Sequence, residues 1–292
     1  MRWPSLIALA IFFAASSAYA QSAAQTIPAA IFTDPPADPS HPAKMAVLHI
    51  PTHGVLINGL IYEPPGAELH PTLVIFHGWP GNEKNLDIAQ AVRRAGWNAV
   101  TFNYRGSWGS PGNFRFAQTL EDADAVLAYL RDAQNATRLG IDPKRIAIAG
   151  HSMGGWIAAM TASHDHGLLG TILISAADFG RLGQMPRDKL VAEAADESES
   201  LAGVTPESMA DELQANTKAF ALENAIPGLV QMPLLVLTAD DGLAPDGEAL
   251  VRGIQAKGGK HATMLHVATD HGWSDHRIAL ETSVITWLAG LK

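Results

Sequence analysis

The sequence predicts an α/β fold in which a mostly parallel sheet is covered by helices on both faces. Short apolar runs alternate with segments of helical periodicity from Leu73 to Ser175, and buried strands that alternate with helices are typical of a parallel sheet. The alternation stops after Asp178, and strands return at Leu234. At the end of one apolar run a single serine lies between glycines, which is typical of a strand-to-helix turn at a catalytic site.

The composition is typical of a globular protein with a large core. The chain has 292 residues, of which 47% are hydrophobic and 17% are charged, and an α/β chain of this size commonly forms one domain. The 29 acidic residues outnumber the 20 Lys and Arg residues, which form no cluster. We therefore expect neither nucleic acid nor a membrane surface as a stable partner. Without cysteine, the chain has neither a disulfide nor a thiol nucleophile.

Residues 1–20 have the pattern of a secretory signal peptide. Arg2 precedes an apolar stretch from Leu6 to Ala15, and small residues before Gln21 form a cleavage site. The apolar stretch is short for a bilayer span, which needs about 20 apolar residues, so an uncleaved membrane anchor is the weaker alternative. We expect cleavage near Ala20 and a secreted or periplasmic protein.

The folded domain is predicted at residues 45–292, after a linker or surface strap at 21–44. The strap is rich in Ala and Pro, and its prolines prevent it from joining a sheet interior. Two apolar runs between Met45 and Tyr62 flank His53–Gly54, which predicts an antiparallel hairpin. The periodicity then predicts strand 73–76, helix 86–94, strand 99–102, helix 120–130, strand 146–149, helix 156–162 and strand 171–175.

A helical lid is predicted at about residues 179–230, between the two parts of the sheet. This segment contains acidic, Ala-rich helical stretches and no convincing strand. The later elements are expected to be strand 234–237, strand 264–267 and a last helix from about Ser274 to Leu288, with Ser274 as its cap.

Ser152 is the candidate nucleophile because it lies at the centre of Gly150–His151–Ser152–Met153–Gly154, the pattern of a nucleophile elbow. In such an elbow the serine adopts a strained backbone conformation, and the residues two before and two after it nearly touch. The following helix directs its free N–H groups at the same point. Because a chain with 26 glycines also produces this pentapeptide by chance, the other motifs are needed to support the interpretation.

The backbone N–H groups of Trp79 and Met153 are the candidate oxyanion hole. Ligands of an open α/β sheet bind beyond the carboxyl ends of its strands, and the segment HGWPGN at 77–82 follows the first parallel strand. Its glycine can turn the Trp79 N–H toward the nucleophile, where it would hold a developing oxyanion together with the Met153 N–H. A plain tight turn is the alternative.

Asp241 and His271 are the candidate acid and base, because each follows a late strand of the predicted sheet. With Ser152 they give the chain order serine, acid, histidine that accompanies the nucleophile elbow. The serine hydroxyl needs a base, and the histidine needs a carboxylate that fixes its tautomer. His276 is the alternative base, and Asp240 and Asp178 are the alternative acids.

Four segments together resemble the serine hydrolases of the α/β-hydrolase superfamily, in its esterase and prolyl-oligopeptidase-related branch. They are HGWPGN at 77–82, NYRGSWGSPG at 103–112, AGHSMGG at 149–155 and Asp270–His271. The resemblance covers most of the chain from about Met45 and implies an α/β-hydrolase fold with a serine, acid and histidine triad. It also implies that Arg105 is structural and braces the elbow. Peptidases of that branch usually carry an N-terminal propeller, for which this chain has no room, so an esterase is favoured.

The expected function is that of an exported serine hydrolase that cleaves a small-molecule carboxylic ester through an acyl-enzyme. An amidase or small-peptide aminopeptidase and an acyltransferase stay open as alternatives, because the same triad serves them. A non-catalytic binding protein on this fold is the alternative of another class. No cofactor and no metal are expected, because histidines such as His164 and His166 lack the spacing of metal ligands. The sequence does not identify the acyl group, the alcohol or the oligomeric state.

Overall fold

A computed structural model describes residues 26–291 of the chain. The predicted signal peptide at residues 1–20 lies outside the described residues, so export stays a prediction. Within residues 26–291, no helix combines the length and the apolar character that crossing a membrane requires.

The described residues form one sheet of eight strands. In chain order these are β1 (Lys44–Thr52), β2 (Val55–Glu63), β3 (His70–Phe76), β4 (Asn98–Phe102), β5 (Ile141–His151), β6 (Gly170–Ile174), β7 (Leu234–Ala239) and β8 (Ala262–Val267). Their spatial order is β1-β2-β4-β3-β5-β6-β7-β8. β1 and β2 form the predicted antiparallel hairpin, β2 is also antiparallel to β4, and the remaining pairs are parallel.

Helices cover both faces of this sheet. In chain order they are α1 (Leu86–Arg94), α2 (Phe116–Arg131), α3 (Ala133–Arg138), α4 (Met153–Ala162), α5 (Phe179–Leu182), α6 (Arg187–Asp196), α7 (Pro206–Ala215), α8 (Ile226–Leu229), α9 (Ala244–Ala256) and α10 (Arg277–Ala289). Alternate side chains of β3 point to opposite faces, as a strand requires: Val74 packs in the core with α2 and α4, and Leu73 packs in the core with α1 and α10. The predicted fold class is confirmed.

Outside the segment 179–230, two helices were not predicted from the sequence, and one helix starts later than predicted. α3 begins after Asp132, whose carboxylate accepts from the N–H groups of Gln134 and Asn135, and α9 has a proline in its first turn, where proline is tolerated. α10 begins after His276, so the prediction that Ser274 caps it is wrong. The Ser274 N–H instead donates to Asp270 Oδ1 at 2.7 Å.

The segment 179–230 contains α5 to α8 and a 3₁₀ turn at Leu222–Ala225, and none of the eight strands runs through it. It is tied to the loop after β4 by an isolated antiparallel bridge between Ser107 and Leu201. The described part of the predicted strap lies against α1, where Arg94 Nη2 donates to the carbonyl O of Ile31 at 3.0 Å.

A buried ion pair joins the loop after β4 to α2. Arg105 Nε donates to Asp122 Oδ1 at 2.6 Å, and the Arg105 backbone N–H donates to Asp122 Oδ2 at 2.9 Å. Arg105 Nη2 donates to Glu121 and to the carbonyl O of Gln118. All these acceptors belong to α2, so the hydrogen bonds of Arg105 brace the helix and not the turn at Ser152.

Asp122→Asn should lower the free energy of unfolding by about 3 kcal/mol or more, because removing one partner of a buried ion pair leaves an uncompensated charge. The Asp122 side chain is 0% exposed. Urea unfolding followed by circular dichroism measures the change.

The matched control is Asp211→Asn, which breaks the exposed pair with Arg187 at 2.7 Å. An exposed pair contributes about 1 kcal/mol at most. Equal losses in the two variants would contradict a stabilising role for the Arg105–Asp122 pair.

Candidate active site

Ser152 lies in a sharp turn between β5, which ends at His151, and α4, which begins at Met153. Its φ of 59° and ψ of −120° fall in a region that residues other than glycine rarely adopt. A Cβ built on Gly150 would overlap the carbonyl O of Gly154, and a Cβ built on Gly154 would overlap the carbonyl O of Phe76. The two glycines are therefore required by close backbone packing, as the elbow pattern predicts.

The loop after β3 passes next to Ser152. A Cβ built on Gly78 would lie 3.0 Å from the Cβ of Ser152, which places the following residue, Trp79, beside the nucleophile. Met153 is the first residue of α4, where backbone N–H groups have no helical partner. Among the described residues, no acceptor takes a hydrogen bond from the N–H of Trp79 or Met153.

Three hydrogen bonds hold this loop in place. His77 Nδ1 donates to the carbonyl O of Gly78 at 2.8 Å, the Tyr104 hydroxyl donates to the carbonyl O of His77 at 3.1 Å, and Trp108 Nε1 donates to the carbonyl O of Pro80 at 2.7 Å. Burial lowers the pKa of His77 to about 4, so its ring is neutral at physiological pH. The loop is thus held by a His77 ring that carries no charge.

His271 and Asp241 form a hydrogen bond of 2.8 Å between Nδ1 and Oδ2. The Asp241 side chain is 2% exposed. Its burial raises the pKa, but hydrogen bonds from His271, the Leu243 N–H and the Ser175 hydroxyl outweigh that effect and lower the pKa of Asp241 to about 2. An ionised carboxylate only accepts, so His271 donates to it from Nδ1.

Ser152, Asp241 and His271 line one cavity of about 290 Å³. The rest of the described lining is apolar apart from two carboxylates, and it contains no Lys or Arg; it consists of Trp79, Ala177, Phe179, Leu182, Glu193, Glu197 and Leu243. Burial raises the pKa of Glu197, and the carboxylates of Glu193 and Asp196 raise it further, while His271 lowers it. Two carboxyl groups therefore line the cavity, with no Lys or Arg in its described lining.

The alternative acids and the alternative base have other partners. Asp240 is 65% exposed and bonds to His266 on β8, and Asp178 is the N-cap of α5. His276 precedes α10, and its Nδ1 bonds to Asp275. Within residues 26–291, no three His, Asp or Glu side chains are grouped so that they could hold a metal ion.

Sequence reasoning missed two residues that contact the candidate acid and base. Ser175, which is buried and has a φ of 44°, accepts from Trp273 Nε1 at 3.2 Å and contributes to the low pKa of Asp241. His151 Nε2 lies 2.8 Å from the carbonyl O of His271. The position of His151 inside the elbow motif was the available signal, but its partner lies far away in the sequence.

Comparison with known proteins gives a family and several relatives. Residues 73–283 match the sequence profile of the alpha/beta hydrolase family. The chain is 35% identical to carboxylesterase NlhH of Mycobacterium tuberculosis over 108 residues, and 31% identical to quorum-quenching protein AidA of Acinetobacter baumannii over 127 residues. These segments are 35% and 41% of this chain and 32% and 40% of those proteins, so less than half of each relative is matched.

Solved structures match over a larger share of the chain. EstE1, a thermophilic and thermostable carboxylesterase cloned from a metagenomic library, superposes with a TM-score of 0.65 at 25% identity, over 86% of this chain and 91% of that one. An esterase of Pyrobaculum calidifontis gives a TM-score of 0.65 at 23% identity, over 86% and 87% of the two chains. The second likeness shows the fold alone.

Proposed function

The chain belongs to the alpha/beta hydrolase family, and we propose that it is an exported serine esterase that hydrolyses a small-molecule carboxylic ester through an acyl-enzyme. Export is proposed from the signal-peptide pattern at residues 1–20 alone. The carboxylesterase relatives support ester hydrolysis in general. The observation that carries the finer proposal is the hydrogen bond between His271 and Asp241 in the cavity that Ser152 also lines.

In the proposed first half-reaction, Ser152 Oγ attacks the carbonyl carbon of the ester. The hydroxyl proton passes to His271 Nε2, which has a lone pair because the Nδ1 proton is held by Asp241, and the Asp241 carboxylate stabilises the imidazolium that forms. The N–H groups of Trp79 and Met153 donate to the oxyanion of the tetrahedral intermediate. His271 then gives its proton to the leaving oxygen, so the alcohol departs and the acyl group stays on Ser152.

In the second half-reaction, water takes the place of the alcohol. His271 Nε2 removes a proton from the water as its oxygen attacks the acyl carbon, and the same two N–H groups hold the oxyanion. When the bond to Ser152 Oγ breaks, His271 returns the proton to that oxygen and the carboxylic acid leaves. The proposed steps use only water and the chain's own groups.

The residues that line the cavity indicate which ester substituents would bind there. Phe179, Leu182 and Glu193 belong to the segment 179–230, which supports the proposal that this segment is a lid over the cavity. Apolar side chains beside Ser152 favour an apolar substituent on the ester. The carboxylates of Glu193 and Glu197 repel a substrate that carries its own carboxylate, because like charges in a closed interface are costly.

Ser152→Ala should abolish labelling by a fluorophosphonate probe and lower kcat by a factor on the order of 10⁶, because only an activated serine reacts with the probe and removal of a triad nucleophile has this effect elsewhere. Gel fluorescence and p-nitrophenyl ester hydrolysis measure the two results. Ser163→Ala, at the end of α4 outside the cavity, is the control and should behave as the wild type. Labelling that persists in Ser152→Ala would place the nucleophile elsewhere.

Asp241→Asn should lower kcat by roughly 10⁴, because the amide no longer holds His271 in the required tautomer. His271→Ala should be nearly inactive for want of a base. The adjacent variants Asp240→Asn and His276→Ala are the matched controls and should keep most of the activity. Steady-state kinetics on one activated ester, with circular dichroism of each variant, decide the result. An inactive but folded Asp240→Asn beside an active Asp241→Asn would reassign the acid.

Hydrolysis of p-nitrophenyl butyrate should exceed that of p-nitrophenyl hemisuccinate by about tenfold or more in kcat/KM at pH 8, since like-charge contacts cost up to several kcal/mol. The two esters share a leaving group and differ in one carboxylate. Glu193→Gln and Glu197→Gln should reduce this ratio, whereas Glu248→Gln, on the exposed face of α9, should not. An unchanged ratio in the first two variants would show that the two carboxylates do not select the substrate.

A further inference from the structure

The histidine that precedes Ser152 is in contact with the histidine of the proposed triad. His151 is the last residue of β5, and its Nε2 lies 2.8 Å from the backbone O of His271. The two rings also touch, with centroids 4.6 Å apart and planes inclined at 41°. The reaction described above gives His151 no part.

The protonation state of His151 follows from its partner and its burial. A carbonyl oxygen only accepts hydrogen bonds, so His151 Nε2 must carry a proton and donate. The residue is 5% exposed, and this burial, followed by the nearby His271, lowers the pKa of His151 to about 4. The ring is neutral at physiological pH, with the proton on Nε2. It can therefore lie against His271 even when His271 is protonated during the reaction.

His271 needs support beyond its bond to Asp241. Its side chain is 42% exposed, so packing restrains it little, and a ring held at Nδ1 alone can still pivot about that bond. The neighbouring backbone is tied by the Asp240 N–H, which donates to the carbonyl O of Thr269 at 3.0 Å, and by Arg277 Nη1, which donates to the carbonyl O of Gly272 at 3.0 Å. The carbonyl of His271 itself accepts from His151.

We propose that His151 is a positioning residue that sets the distance and angle between His271 Nε2 and Ser152 Oγ through its hydrogen bond to the His271 carbonyl. His151 ends β5 and Ser152 follows it directly. The bond therefore ties the backbone of the proposed base to the strand end next to the nucleophile. The inference rests on the proposed function, since it assigns His151 a role in that reaction.

Two variants separate the hydrogen bond from the ring contact. His151→Phe keeps an aromatic ring and loses the donor, whereas His151→Gln loses the ring and keeps an amide N–H that can donate to the same carbonyl. A displacement of about 1 Å can cost roughly 100-fold in rate, so we expect kcat of His151→Phe to fall by about 10- to 100-fold with KM within about twofold. His151→Gln should return kcat to within about fivefold of the wild type. His164→Gln, an exposed histidine paired with Asp124, is the control and should have no effect.

The rate of fluorophosphonate labelling gives a readout that does not depend on ester binding. It should be slow in His151→Phe and restored in His151→Gln, in parallel with kcat, while thermal unfolding of both variants stays near that of the wild type. Equal rates for His151→Phe and the wild type would overturn the proposal. It would also be overturned if both variants were equally slow while folded, because the ring and not the donor would then matter.

Nitrogen-15 NMR of the histidine side chains tests the proposal without any variant. At pH 7 the wild type should show His151 as the neutral Nε2–H tautomer, and a cation or the Nδ1–H tautomer would overturn the hydrogen bond even if His151→Phe failed to fold. A failure of the proposed function gives a different result from a failure of this inference. In that case the wild type would neither react with the fluorophosphonate probe nor hydrolyse esters, whatever the tautomer of His151. Wild-type turnover together with an unaffected His151→Phe would refute the inference alone.

Discussion

The strained backbone of Ser152 is the constraint on which the rest of the site depends. A conformation of this kind costs about 1–3 kcal/mol and persists only where the surrounding structure imposes it. Here β5 is hydrogen-bonded between β3 and β6, and α4 is apolar and buried along nearly its whole length, as expected of a helix that is hydrophobic all round. Gly154 packs on the carbonyl of Phe76, the last residue of β3. The same contact therefore fixes the serine and the start of the loop that carries Trp79.

Burial acts in opposite directions on the pKa values of Asp241 and His151. Desolvation alone would raise the pKa of Asp241, but three hydrogen-bond donors overcome it and keep the carboxylate ionised. His151 has no carboxylate partner among its hydrogen bonds and is neutral because it is buried. His271, in contrast, is half-exposed and has the Asp241 carboxylate as its partner. Two histidines that contact each other thus lie in different surroundings, one buried and bonded to a carbonyl oxygen and the other half-exposed and bonded to a carboxylate.

The features that the sequence predicted are those that local patterns determine. The bounds of α1 match the periodicity from Leu86 to Arg94, and the elbow follows from glycines within five residues. The order of the late strands was enough to bring Asp241 and His271 to the same edge of the sheet. α9 was missed because its proline and glycine weaken the helical pattern. The contacts of His151 and Ser175 were out of reach because they join residues that are about 100 positions apart.

Asp178, one of the alternative acids predicted from the sequence, links the two ends of the segment 179–230 to the rest of the fold. Asp178 Oδ1 accepts from the N–H groups of Gly180 and Leu222, which lie near the two ends of that segment, and its own N–H donates to Asp246 on α9. Phe179 and Leu182 are therefore held against the sheet edge, whereas Glu193 and Glu197 come from α6 and the residue after it. The proposed chemistry depends on the sheet and its loops. The carboxyl groups of the cavity wall depend on the position of α6. The proposed selectivity would then rest on α6 and the residue after it, while the sheet and its loops hold the reacting groups, a division of roles that is common where loops and insertions carry function on a rigid scaffold.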